Sequence, residues 1–176
     1  NMYKLNIIAL PDGPVAFDGI EYRYSKGERL YFDNLAKNFH QVQIAAFVLR
    51  KGDPFYETCL HSTFSSGNIS IKELPRPIVK KPGVIMKAIQ FTHVFFRLIF
   101  LIRNADLGYL FLPSYPSAIA WIILRIWGKP HIVYGADDWV KASDSMFRWE
   151  GSRQSLFYRS YAFLNKVMEK KIVGTA

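Results

Sequence analysis

Short apolar runs alternate with helical patterns along nearly the whole chain, and this alternation constrains the fold more than any other feature. Leu5–Leu10 reads as a buried strand. Pro11–Lys26 is polar, contains Gly13 and Gly19, and is expected to be a long loop. Gly27–Phe39 has a helical pattern, with Leu30, Leu35 and Phe39 on its apolar face. Val42–Leu49 reads as a strand, Lys51–Gly67 as a loop with one helical turn near Phe55–Leu60, and Ile69–Leu74 as a strand with one wet face. Pro75–Gly83 carries Pro75, Pro77 and Pro82 and is excluded from regular structure. Val84–Asn104 reads as a long helix. Ile85, Ala88, Ile89, Thr92, Phe96 and Ile99 fall near one stripe of it, and Phe91, Val94, Phe95, Leu98 and Ile102 widen that stripe. Leu107–Leu112 (strand), Ser117–Trp127 (helix), His131–Tyr134 (strand) and Ser152–Lys170 (helix) follow, and Ile172–Ala176 opens like another strand. This order predicts an α/β fold, a doubly wound parallel sheet with helices on both faces, as a single domain over residues 1–176. A chain that stops as a strand begins is expected to be a piece of a longer polypeptide.

Half of the 176 residues are hydrophobic and 16% are aromatic, enough to bury a core rather than remain disordered. The lone Cys59 excludes an intrachain disulfide framework and fits a reducing compartment. The opening NMYKLNIIALPDG is not a secretory signal, because its apolar run is short and leads straight into a turn.

The net charge is +9, unevenly spread. No acid lies between Glu73 and Asp106, whereas Arg76, Lys80, Lys81, Lys87, Arg97 and Arg103 do. Such a bias points to an anionic partner, with a merely solubilising surface as the alternative. Nucleic acid is disfavoured, because the aromatic residues follow apolar helical stripes instead of forming a stacking platform.

The stretch Gly128–Trp139, GKPHIVYGADDW, releases a glycine, two adjacent carboxylates and a tryptophan just after a short strand. Ligands of open α/β sheets bind beyond the carboxyl ends of the strands, so Asp137 and Asp138 are candidate ligand-site groups. A solvated turn or helix cap is the competing reading of the pair. Several motifs are absent. No G-x-G-x-x-G follows the first strand, and there is no G-x-x-x-x-G-K-[ST] and no G-x-S-x-G. One cysteine and four scattered histidines give no metal-ligand spacing, and no cofactor is expected.

Two segments resemble a known family. In KGERLYFDNLAKNFHQVQIAAF, Lys26–Phe47, Gly27 is followed after eight residues by Leu35-Ala36 and then by His40-Gln41-Val42. This is similar to the first helix and second strand of GT-B glycosyltransferases of the family-4 type. NADLGYLFLPSYPSAIAWIILRIWGKPHIVYGADDW, Asn104–Trp139, resembles that family's later strand–helix–strand unit. Lys26 stands where the family's first glycine usually lies, Phe39 replaces the glycine before His40, and Ala136-Asp137-Asp138 replaces a common loop His-Asp. The donor-binding half with its paired glutamates is absent. The resemblance therefore implies the N-terminal, acceptor-side Rossmann-like domain alone.

On this resemblance the chain is expected to serve a transferase of polysaccharide biosynthesis that is inactive without its second domain. The partners implied are a nucleotide-sugar donor and a sugar or polyisoprenyl-linked acceptor. Gly27 and Lys26 would meet the donor diphosphate at a helix start, since backbone N–H groups and the helix dipole favour an anion there. Gly27 as a plain helix cap is the alternative. Gly19, Tyr115 and Trp139 are the acceptor-side candidates, and His40 reads as a turn residue. Asp137 or Asp138 would stabilise charge or take the acceptor proton. A cytoplasmic location is implied, peripheral at the inner face of the membrane. There Arg76, Lys80, Lys81 and Lys87 would meet anionic headgroups, and the apolar run Val94–Ile102, too short to span, would lie in the interface. A core helix is the competing reading of that run. A non-catalytic flavodoxin-like binding or regulatory domain is the alternative function.

Overall fold

The computed structural model describes residues 3–24, 26–53, 55–60, 62–76, 84–112 and 114–135, together with Phe163 and Val167. In chain order the elements are β1 (Tyr3–Leu10), β2 (Val15–Phe17), β3 (Tyr22–Tyr24), α1 (Lys26–Ala36), β4 (Phe39–Ala46), β5 (Val48–Leu49) and α2 (Tyr56–Cys59). They continue with β6 (Ser62–Thr63), β7 (Ile69–Glu73), α3 (Val84–Arg103), β8 (Leu107–Leu112), α4 (Tyr115–Ile126) and β9 (His131–Gly135).

Five strands form one sheet in the order β7-β4-β1-β8-β9, and every neighbouring pair is parallel. Ile7 sits at the centre, in register with Val42 on one side and Leu107 on the other. Successive side chains of a strand point to opposite faces, which is how β1 can serve two cores. Ile7 and Ala9 pack with Phe32 and Ala36 of α1. Ile8 and Leu10 pack with Val94, Leu98 and Ile102 of α3 and with Ala118 and Leu124 of α4. The sheet is therefore covered on both faces, as expected for a Rossmann-like α/β domain.

Several elements differ from the sequence reading. Pro11–Lys26 is no featureless loop: β2 and β3 pair antiparallel within it, and with β5 and β6 they make a second sheet in the order β5-β2-β3-β6. Its turn is stabilised by Asp18, whose carboxylate accepts from the Ile20 and Glu21 N–H groups at 2.9 and 2.8 Å, while Gly19 takes φ 104°. Phe39 and His40 open β4 rather than ending a helix or a turn. The expected Val42–Leu49 strand is two strands parted at Phe47.

In α3 the face against the sheet is Val94, Leu98 and Ile102, all fully buried. The stripe through Ile85, Ile89 and Phe96 points to solvent. Apolar residues surround this helix, so periodicity could not select the packed side. The expected helix Ser152–Lys170 lies outside the described residues except at Phe163 and Val167, both helical.

Candidate functional site at the carboxyl edge of the sheet

All five strands of the large sheet run the same way, so β1, β4, β7, β8 and β9 end at one edge, at Leu10, Ala46, Glu73, Leu112 and Gly135. The strand order reverses direction between β1 and β8, and at such a point the adjoining turns leave a crevice. Two helices begin there. Ser114 caps α4, its hydroxyl accepting from Ser117 N–H at 3.3 Å, and Pro116 stands in the first turn. The buried Ser117 hydroxyl donates to the Leu10 carbonyl at 3.3 Å, tying the α4 start to the end of β1.

α1 enters β4 after only Lys37 and Asn38, so it runs back antiparallel to the strands, and its first turn lies at the carboxyl edge. Two features fix its position. Phe32 packs on Phe111 of β8, with ring centres 5.8 Å apart. Asp33 is buried and accepts from Ser65 N–H at 3.0 Å, the Ser65 hydroxyl at 2.6 Å and Ser66 N–H at 3.1 Å. Burial drives the Asp33 pKa upward, but these hydrogen bonds outweigh it and hold the carboxyl below its ordinary value.

The residues singled out from sequence are distributed as follows. Lys26 and Gly27 form the first turn of α1, an arrangement that presents backbone N–H groups at the edge. Gly19 is at the tip of the β2–β3 hairpin, where a side chain would meet open space. Tyr115 is in the first turn of α4. Its hydroxyl accepts from Gln90 Nε2 at 3.1 Å, its ring lies 5.5 Å from Phe47, and burial pushes its pKa up. Arg76 is ion-paired with Asp53. Lys87 is half-buried on α3. Asp137, Asp138, Trp139, Lys80 and Lys81 lie outside the described residues. The described chain leaves β9 at Gly135, at the carboxyl edge and two residues before Asp137.

Two groups at this edge were not singled out from sequence. The first is a run of rings on the α1 face. Tyr31 lies 5.6 Å from Tyr109 and 5.7 Å from Phe111, and Phe111 lies 5.3 Å from Tyr134. Tyr31 and Tyr134 remain exposed, so this run offers aromatic surface to solvent. Burial and a hydrogen bond with Tyr109 raise the Tyr31 pKa, keeping the phenol protonated and able to donate.

The second group surrounds a cavity of about 280 Å³ lined by Val48, Arg50, Glu73, Leu74, Pro75 and Arg76. Arg50 Nη2 donates to both Glu73 oxygens at 3.0 and 3.1 Å, and the Tyr22 hydroxyl donates to the same carboxylate at 3.0 Å. Its cations are matched by Glu73 and Asp53, so the cavity is polar without strong net charge. Alternating strand patterns carry no signal for either group, because each joins residues from separate elements. Among the described residues, no three His, Cys, Asp or Glu side chains cluster as metal ligands would.

No protein-family model matches the chain. No curated protein matches it at a significant level. Among solved structures, the C-terminal domain of a Pyrococcus furiosus hydrogenase is 14% identical with a TM-score of 0.40, over 76% of this chain and 94% of that one. A Listeria monocytogenes protein described as a UDP-N-acetylglucosamine 2-epimerase is 9% identical with a TM-score of 0.39, over 74% of this chain and 30% of its own. A UGT transferase from Siraitia grosvenorii in complex with UDP is 17% identical with a TM-score of 0.38, over 74% and 28%. At these values the likenesses carry no functional weight, and the chain's own topology and residues must supply it.

Proposed function

We propose that the chain is the acceptor-side, N-terminal domain of a GT-B glycosyltransferase of the family-4 type. It would move a sugar from a nucleotide-sugar donor to a polysaccharide or lipid-linked acceptor, with a second, donor-binding domain closing the cleft. The observation that carries this reading is the strand order. Third, second, first, fourth, fifth follows the Rossmann strand order, and its switch point lies beside the first turn of α1. The flavodoxin order, second, first, third, fourth, fifth, is different, and this disfavours the regulatory-domain alternative.

In the proposed reaction the bond from the sugar carbon to the donor phosphate breaks, and a bond from that carbon to an acceptor oxygen forms. The acceptor proton goes to a carboxylate, for which Asp137 and Asp138 are the candidates. Backbone N–H groups at Lys26 and Gly27 would face the departing diphosphate. The exposed rings of Tyr31 and Tyr134 suit the apolar face of an acceptor sugar.

Nucleotide release tests the reading. A panel of nucleotide sugars is incubated with the 176-residue chain and with the protein that includes its donor-binding half. Release by the longer protein alone is expected. Turnover by the short chain would contradict a shared cleft.

A further inference from the structure

α3 has two apolar faces. Val94, Leu98 and Ile102 are fully buried against the sheet. Ile85, Ile89, Phe96 and Phe100 follow at spacings of four, seven and four residues, which places them on one stripe opposite that face. They remain outside the core, with Ile85 79%, Phe96 54% and Phe100 64% exposed. The stripe continues onto the end of α4. Trp127 shares a hollow with Ile99, Phe100 and Arg103, and Ile126 beside it is 75% exposed. A contiguous apolar surface of this length marks an interaction site, because soluble surfaces scatter such residues singly.

The charges around the stripe identify the occupant. From Leu74 to Ala136 the only acid is Asp106, and its carboxylate accepts from Asn6 N–H at 2.8 Å. Arg97, Arg103 and Arg125 are exposed along the same two helices. An apolar strip bearing two phenylalanines and a tryptophan, with basic and no acidic neighbours on its helices, complements an anionic bilayer surface. α3 has the length and composition to cross a bilayer. It does not do so as folded here, since its inner face is packed on the sheet and β7 and β8, on either side of it, belong to that sheet.

We infer that the outer stripe of α3, continued by Ile126 and Trp127, docks the domain on an anionic membrane with the helix axis parallel to the bilayer. The basic residues involved are Arg97, Arg103 and Arg125. Arg76 is already paired with Asp53 and is not among them. The helix is about 30 Å long and runs from the carboxyl edge at Val84 to the opposite edge at Arg103. A bilayer along it therefore reaches the candidate site, which suits a lipid-linked acceptor, although the docking itself does not depend on transfer chemistry.

The test is flotation of the full-length protein with vesicles of phosphatidylcholine alone and of an equimolar mixture with phosphatidylglycerol, at low and high salt. Binding to the anionic vesicles is expected, weakened by salt. Phe100→Asp and Ile89→Asp, at non-core positions, should each reduce it by at least about a hundredfold. Arg97→Gln with Arg103→Gln should reduce it about thirtyfold. Thermal unfolding of each variant confirms that it is folded, and quenching of tryptophan fluorescence by brominated lipid should fall on Trp127→Phe. The inference is overturned if folded protein ignores anionic vesicles at low salt, or if Phe100→Asp binds them unchanged. It is also overturned if Phe100→Asp instead dissolves a dimer that does not float, since the stripe would then belong to a second copy.

Discussion

The Lys129 ammonium lies 2.9 Å from the Ile102 carbonyl oxygen and also donates to the carbonyls of Arg103 at 2.7 Å and Ala105 at 2.6 Å. One side chain from the turn before β9 thus binds carbonyls at the C-terminal end of α3 and just beyond it. A cation at a helix C-terminus is favoured by the helix dipole as well. The contact anchors the end of the helix that carries the exposed apolar stripe.

Lys129→Met should therefore destabilise the domain by about 1.5–3 kcal/mol, the range for hydrogen bonds to a charged group. Urea unfolding measures this. An unchanged midpoint would show that water replaces the ammonium without cost.

Gly108 in β8 has no room for a side chain. A Cβ there would overlap the Leu124 side chain of α4 and stand 3.4 Å from His131 Cβ in the neighbouring strand. Leu124 is itself fully buried, so any shift of its side chain must be taken up by the surrounding core. Gly108→Val should cost about 1–3 kcal/mol through overpacking, read again from the urea midpoint. A midpoint within error of the parent would mean that α4 shifts freely on the sheet.

Acid should weaken the fold through two carboxylates. The Ile20 and Glu21 N–H groups and Arg23 hold Asp18 at about 2. Asp33 is depressed by Ser65 and Ser66 against the effect of burial. A carboxyl with a depressed folded pKa contributes fully above its unfolded value and loses that contribution as pH falls through the folded value. Stability should fall from about pH 4 downward, and Asp33→Asn should flatten that limb while lowering stability at neutral pH. An acid limb identical in parent and variant would contradict the Asp33 assignment.

Much of this architecture was legible in the sequence. Leu107–Leu112 has the bounds its apolar run predicts, and the strand–helix alternation yields the parallel sheet. The β2–β3 hairpin was not read from the sequence: Pro11–Lys26 holds a turn at Asp18-Gly19, but the flanking strands of three residues are too short to show a period. The packed face of α3 was not legible, because Ile85, Ile89, Phe96 and Phe100 are as apolar as Val94, Leu98 and Ile102. Only the sheet decides between the two stripes. The Arg50–Glu73 pair and the Tyr31–Phe111–Tyr134 rings bring together residues far apart in the chain, and no local pattern encodes them.

The most direct test of the proposed transfer site compares Asp137→Asn and Asp138→Asn in the protein carrying its donor-binding half, with kcat and donor Kd measured separately. If a carboxylate just beyond β9 takes the acceptor proton, one variant should lose about a hundredfold or more in kcat while donor Kd changes by less than about threefold. Parent rates in both variants would reduce the pair to a solvated turn and contradict the assignment of the carboxyl edge to glycosyl transfer.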